Sequence, residues 1–475
     1  MTQQHRAGLA AMFRPRSIAI VGASEDPDSL SGRPLEVLRQ HAYDGRIYVV
    51  NPNRARVGGL ASYPGVAALP EPVDLAVVAV RAALVPEIVA DCAAAGVRAV
   101  VIFSSGFAET GPAGQAAQDR MATMAAASGM RLLGPNGEGF FNVADGVAVS
   151  FSPAADRRRG LKNLTPGNLG IVSQSGGLGF ALFNSGQAVG LGASFVVTTG
   201  NESDVEALEV ADVLLADGRT DVVALIVEGF RRPADLARVA RRARDGGKHI
   251  VVAKLGHSAA GRRAAPVHTA HESGDEREYD RMFREGGIVR AEDQEDLLDI
   301  CFALSRGRLM RGRRVGVVST SGGAGIWTAD ACEAHGLAVP ELSARTQAAL
   351  RPLMPHFGSA GNPVDVTAQM VTGGSVATVL RTLGASGEVD AVAVVTSLAG
   401  PDLLRRESQN LRAVLAELTT PVVVYSYTRP GEPSLELLRG LGVAWYPSPR
   451  RTARALRALV RPPRWPAAAA PDGRG

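Results

Sequence analysis

"GIVSQSGGLG" at 170–179 and "GVVSTSGGAG" at 316–325 share one pattern. Each starts as a β-branched apolar run, passes through small hydroxylated residues and ends in glycines, as a strand does when it turns tightly into a helix. The same landmarks follow each stretch in the same order. "GNESD" (200–204) answers to "GNPVD" (361–365), "TDVVALIVEGF" (220–230) to "VDAVAVVTSLA" (389–399), and "HIVVAKLG" (249–256) to "PVVVYSYT" (421–428). Each copy closes on a short strand and a helix, "GIVRAEDQEDLLDICFAL" (287–304) and "GVAWYPSPRRTARALRAL" (442–459). Unbroken Val, Ile and Ala runs belong to strands buried on both faces, as in parallel sheets. The repeat predicts two tandem flavodoxin-like α/β domains, at 146–306 and 307–462, divided by the polar stretch "RGRLMRGRR" (306–314). The Pro/Ala/Gly-rich residues 463–475 read as a disordered tail.

Residues 1–145 carry a third α/β pattern, with strand-and-turn units at "SIAIVGAS" (17–24), "RIYVVNPN" (46–53), "VDLAVVAV" (73–80), "VRAVVIFSSG" (97–106) and "MRLLGPN" (130–136). Intervening stretches such as "ALVPEIVADCAAAG" have helical apolar spacing, so a Rossmann-like, doubly wound parallel sheet is expected. The first turn lacks the G-x-G-x-x-G spacing, and Asn51 stands where a dinucleotide enzyme places an acidic residue for the ribose. This disfavours an NAD(P) dehydrogenase. Ser24 and Arg33 remain available to the phosphates of a different ligand.

Bulk composition excludes other classes. The chain has 475 residues, 46% hydrophobic and 21% charged, with a net charge of +4 and no basic stripe interleaved with aromatics, which argues against nucleic-acid binding. Cys92, Cys301 and Cys332 are far apart and form no CxxC pair, so neither a zinc ribbon nor a disulfide framework is expected. No apolar run suits a signal peptide or the ~20 residues of a membrane-spanning helix, so a cytoplasmic protein without a membrane partner is expected.

The differences between the two repeats locate the chemistry. Glu228 ends its strand where the second copy has Ser397, and the polar insertion 256–280, with His257, His268 and His271, shrinks to "RPGEP" in the second copy. The helix start after Ser173, Gln174, Ser175, Gly176 and Gly177 offers backbone N–H groups and hydroxyls to an anion, or serves only as a tight connection. It is not a Walker A loop, because no Lys-Ser/Thr follows the glycines. A carboxylate at Glu228 is costly at the end of an apolar strand unless it is paired. For His268 and His271 three readings stand together: metal ligands with His257 and Glu272, a solvated loop, or a nucleophilic imidazole with a carboxylate partner and an anion site nearby.

Taken in order, "SIAIVGAS", "VVNPN", "PEPVDLAVVAV", "FSSGFAETG", "LLGPN", "VSQSGGLG", "GNESD", "VEG", "AAPVHT" and "GIVRAEDQEDLLD" resemble the α part of the NDP-forming acyl-CoA synthetases, relatives of succinyl-CoA synthetase, over residues 10–460. The resemblance implies a CoA-binding first domain and two flavodoxin-like domains. It implies that His268 is transiently phosphorylated, that Glu228 holds it, and that Ser173–Gly177 receive the phosphoryl group. It carries the CoA site to Gly22, Ala23, Ser24, Asn51, Pro52, Val80, Arg81, Ser104, Ser105 and the Gly134-Pro135-Asn136 turn, beside Arg33. The reaction implied is acid + CoA + ATP ⇌ acyl-CoA + ADP + phosphate, with ATP/ADP and Mg²⁺ held by a separate ATP-grasp β subunit in a heterotetramer or larger assembly. A non-catalytic CoA or acyl-CoA-binding regulator that keeps the scaffold is the alternative. Two departures from the family pattern are visible: "HTGALAGSD" is here "HTAHESGDE", and "GPNC.G" is "GPNGEG", which introduces Glu138.

Overall fold

A computed structural model describes residues 3–161, 164–269, 274–368 and 375–461. The chain forms two compact units, Met1–Cys301 and Phe302–Gly475.

The first unit holds two sheets. Strands β1 (Ser17–Val21), β2 (Arg46–Val50), β3 (Arg56–Val57), β4 (Leu60–Tyr63), β5 (Leu75–Val78), β6 (Ala99–Ile102) and β7 (Arg131–Leu133) build the first, in the order β3-β4-β2-β1-β5-β6-β7. All neighbours run parallel except β3 and β4. Every residue of β1, β5 and β6 is buried, as their unbroken apolar composition requires. The order reverses at β1, with β2 on one side and β5 on the other. A crevice therefore opens at the carboxyl ends of β1 and β5, the usual ligand position in such sheets.

The second sheet contains β8 (Gly139–Asn142), β9 (Val147–Ser150), β10 (Pro166–Ser173), β11 (Ala193–Thr198), β12 (Val222–Val227), β13 (His249–Lys254) and β14 (Val289–Ala291), in the order β14-β13-β12-β10-β11-β8-β9. Its parallel part reverses at β10, which places the turns after β10 and β12 side by side. The hairpin β8–β9 pairs antiparallel with β11 and covers that edge. The boundary expected at 145/146 thus falls inside this hairpin, both strands of which belong to the second sheet. The two sheets also share one apolar core. Ile18, Ile20, Leu75 and Val77 of the first sheet join Phe140, Val149, Val172, Val197 and Leu225 of the second. Each fully buried aliphatic or aromatic side chain there contributes roughly 1.5–3 kcal/mol, which is why this region is one unit. Buried Arg131 adds a polar tie, bonding Asp204 at 2.8 Å and Glu209 at 2.7 Å.

The second unit repeats the parallel part of the second sheet. Strands β15 (Val315–Ser319), β16 (Val364–Asp365), β17 (Ala391–Thr396), β18 (Val422–Ser426) and β19 (Ala444–Tyr446) lie in the order β16-β15-β17-β18-β19, all parallel. Read from the other edge, this is the order of β14-β13-β12-β10-β11. Even the turn is repeated: Ser319 Oγ donates to Ser321 O at 2.6 Å, as Ser173 Oγ donates to Ser175 O at 2.6 Å. The stretch 306–314 is not simply a solvated linker, because Met310 is fully buried and its N–H donates to Leu459 O at 2.8 Å. The expected tail at 463–475 lies outside the described residues.

Candidate functional site

The first cleft opens at the carboxyl ends of β1, β5 and β6. It measures about 560 Å³ and is lined by Gly22, Val80, Arg81, Ser104 and Ser105 among others. Gly22 has φ +89°, and a Cβ there would lie 2.7 Å from Ala79 O, so only glycine lets the first turn pass this close to β5. Arg81 stands exposed at the rim, while Leu30 and Leu84 offer exposed aliphatic surface that sequence reading missed. The other candidates assigned to this site brace it. Asn51 Nδ2 donates to Ala23 O at 2.9 Å, and Asn51 Oδ1 accepts from the N–H of Asn53 at 2.9 Å. Pro52 follows on the exposed surface, and Ser24 Oγ accepts from the N–H of Asp26 at 3.2 Å. Arg33 differs from expectation. It is buried, and its guanidinium donates to Phe151 O and Asp28 O, both at 2.6 Å, so those donors are spent on the backbone rather than offered to a phosphate.

The second candidate group gathers at the carboxyl ends of β10 and β12. Ser175 precedes the helix Gly176–Val189 with extended backbone, and its side chain caps none of the first-turn N–H groups. Those N–H groups have no partner within the helix, and with the helix dipole they favour an anion. Gln174 has a different task from the one expected. Its Oε1 accepts from the N–H of Glu228 at 2.6 Å and its Nε2 donates to Gly229 O at 2.7 Å. It therefore locks the turn after β12 to the turn after β10.

Glu228 is buried, and its Oε1 lies 2.5 Å from Nδ1 of His268, whose side chain is 54% exposed near the end of the helix Ala259–Thr269. A carboxylate only accepts, so in the neutral ring this contact places the proton on Nδ1 and leaves the lone pair on Nε2. Asn136 joins the two sites. Its N–H donates to Ser104 O at 2.9 Å at the first cleft, and its Nδ2 donates to His268 O at 3.1 Å and Asn201 Oδ1 at 3.2 Å. His271 and Glu272 lie outside the described residues. Among the described residues, no group of three or more His, Cys, Asp or Glu could hold a metal ion. No helix among them is long and apolar enough to cross a membrane.

Lys254 and Tyr279 also belong to this neighbourhood. Lys254 ends β13 in register with Val227; it is buried, with Nζ donating to Leu255 O at 2.7 Å and lying 5.0 Å from the centre of the Tyr279 ring. Burial pushes its pKa down, opposed by the charges of Glu276 and Glu228. Tyr279 Oη accepts from the N–H of Phe230 at 3.0 Å, two residues beyond Glu228. A lysine inside the apolar run "HIVVAKLG" was the available signal for the first; nothing local marked the second. Glu138 lies against the anion helix, and its carboxyl is raised by burial against the opposing effects of Ser152 and Arg33.

Known proteins match this arrangement domain by domain. Family models match residues 16–141 (CoA binding domain), 166–304 (succinyl-CoA ligase like flavodoxin domain) and 315–402 (Ligase-CoA domain). The chain is 31% identical over 473 residues to the alpha subunit of ADP-forming acetate–CoA ligase I of Pyrococcus furiosus, covering 97% of this chain and 98% of that one. It is 34% identical over 361 residues to ADP-forming acetate–CoA ligase II of Archaeoglobus fulgidus, where the match covers 75% of this chain and 52% of the relative. Among solved structures, acetyl-coenzyme A synthetase 1 of Ca. Korarchaeum cryptofilum in complex with phosphate and ADP superposes with a TM-score of 0.84 at 30% identity, over 95% of this chain and 96% of that one. The chain belongs to the family of the ADP-forming acetate–CoA ligases, whose alpha subunits it matches along nearly their whole length.

Proposed function

We propose that this chain is the α subunit of a cytoplasmic ADP-forming acyl-CoA ligase that works with a separate ATP-grasp β subunit. The reaction is acid + CoA + ATP ⇌ acyl-CoA + ADP + phosphate. The single observation that carries the reading is the 2.5 Å contact between Glu228 Oε1 and His268 Nδ1, at a turn that Gln174 ties to the anion helix. In the forward direction Nε2 of His268 takes the γ-phosphoryl group of ATP in the partner's site and ADP leaves. The substrate carboxylate then attacks that phosphorus, the N–P bond breaks, and an acyl phosphate forms. The CoA thiolate attacks the acyl carbon, and phosphate leaves as the thioester forms. Glu228 stabilises the charge that develops on the imidazole, and the helix start at Ser175–Gly177 spreads the phosphoryl charge. CoA occupies the cleft at Gly22, Val80, Arg81, Ser104 and Ser105, and Mg²⁺ accompanies the nucleotide in the partner.

Support for the CoA position comes from the family model over residues 16–141 and from Asn136, which links that cleft to the His268 backbone. The relatives named as alpha subunits support a partner subunit. The test is incubation of the chain with its ATP-grasp partner, Mg²⁺ and γ-labelled ATP. An acid-labile, base-stable label on His268 that acid plus CoA discharges as phosphate is the expected result; labelling that survives His268→Ala would defeat the proposal.

A further inference from the structure

Glu138 is held rigidly at the start of the anion helix. Its N–H donates to Thr198 Oγ1 at 2.9 Å and its carbonyl accepts from Ser150 Oγ at 2.6 Å. Its side chain packs on the first helical turn: a Cβ on Gly176 would lie 2.7 Å from Glu138 Cγ, and one on Gly177 3.8 Å from Glu138 Oε1. From this point a cleft of about 680 Å³ runs along the helix past Gly177, Phe180, Ala181 and Asn184, a spacing that lies along one helical face. Pro153 and Ala154 form part of the opposite wall. The middle of the cleft is therefore apolar, with Glu138 at the end beside the anion site. Among the described residues that line it, Arg159 is the cation, and its guanidinium lies 2.6 Å from Asp28 Oδ1 in an ion pair.

We propose that this cleft is the acyl subsite and that it selects a monocarboxylic acid with a hydroxyl or amino donor near its carboxyl group and an apolar remainder, the donor being read by Glu138. The inference rests on the ligase reading above. A carboxyl group that meets a phosphoryl group at Ser175–Gly177 can send its chain along the Gly177–Asn184 face. Acetate would fill only roughly 120 Å³, taking a water-sized share of about 30 Å³ for each of its four heavy atoms. An acid without a donor offers the half-buried Glu138 carboxyl no partner beyond Ser152, and a polar group short of a partner discriminates more strongly than a missing methylene does. A second carboxylate on the substrate would face Glu138 at close quarters, where juxtaposed like charges cost affinity.

The test is CoA ligation by the full chain with its ATP-grasp partner, using acetate, butyrate, 3-hydroxybutyrate and succinate. It is paired with ligand-observed NMR of 3-hydroxybutyrate and butyrate on the chain itself. The expected kcat/KM for 3-hydroxybutyrate exceeds that for butyrate by about tenfold or more, with succinate the poorest four-carbon acid. Glu138→Gln collapses the preference for the hydroxylated acid. Ala181→Phe, which fills the apolar stretch, lowers turnover of the four-carbon acids relative to acetate. Ligation that favours butyrate, or an acid ranking unmoved by both substitutions, overturns the acyl subsite and leaves the ligase reading intact. Binding of 3-hydroxybutyrate that depends on Glu138, without ligation of any acid, overturns the ligase reading and supports the donor preference. Absence of both overturns both.

Discussion

Oε1 of Glu228, at the end of β12, lies 2.5 Å from Nδ1 of His268, forty positions further along the chain. A buried carboxylate and an exposed imidazole meet here because the turn carrying Glu228 is held from below by Gln174 and the histidine helix is held from the side by Asn136. Removing the charge while keeping the shape tests what that contact does. Glu228→Gln is expected to slow phosphorylation of His268 by roughly 10²–10⁴-fold, the span over which positioned acid–base groups act, with CoA binding unaltered. Rapid-quench labelling with the partner subunit measures the first, and CoA titration the second.

Gln174 is expected to matter for stability as well as rate. Gln174→Ala leaves the N–H of Glu228 and the carbonyl of Gly229 without their side-chain partner in a buried turn. A loss of about 1–3 kcal/mol in urea unfolding is expected, together with slower labelling. Gln174→Glu, which can keep accepting but not donate, should recover part of the loss.

Gly22→Ala places a Cβ 2.7 Å from Ala79 O in a residue with φ +89°. The turn must then shift by enough to narrow the cleft. CoA affinity should fall by at least tenfold, with about 1–3 kcal/mol of stability lost through strain. Calorimetric titration of CoA and thermal unfolding report the two effects separately.

Arg131 is buried between Asp204 and Glu209. Arg131→Ala should cost about 3–5 kcal/mol, because two carboxylates are left facing each other without a cation. Replacing all three residues by apolar ones of similar volume should be much better tolerated, and chemical denaturation of the full chain distinguishes the two cases.

Lys254 makes a pH prediction. Burial lowers its pKa below the ordinary 10.5, so between the folded and unfolded values the unfolded chain binds more protons. Stability contributed by this group therefore rises as pH rises through that window and reaches its full value above the unfolded pKa. Lys254→Met should flatten this alkaline rise in unfolding free energy, measured in urea across the alkaline range, while the histidine labelling assay reports whether the cation also tunes Glu228.

Local chemistry is legible in this sequence wherever it depends on neighbours along the chain. The β-branched runs and hydroxyl-glycine turns of 170–179 and 316–325 predicted strand, turn and helix, and their recurrence predicted two tandem α/β domains, whose parallel strands share one order in the structure. Contrast between the copies singled out Glu228 and the histidine segment, because a scaffold residue persists in both and a lone carboxylate does not. Apart from Glu228 and His268, which the family resemblance paired, side-chain partnerships were not legible, since they join residues brought together only by sheet order. Arg33 reads as a phosphate ligand in sequence, but it meets the carbonyl of Phe151, 118 positions away. Gln174 reads as part of an anion loop, but the reversal of strand order at β10 sets it beside Glu228, 54 positions away, where its amide is worth more to two buried peptide groups than to solvent. Asn136 reads as a CoA contact in sequence, and the fold also carries it to His268, 132 positions away. Strand and turn propensities are short-range and lie in the sequence; which donor meets which acceptor follows from the packing of two sheets on one core, and only the tertiary structure decided it.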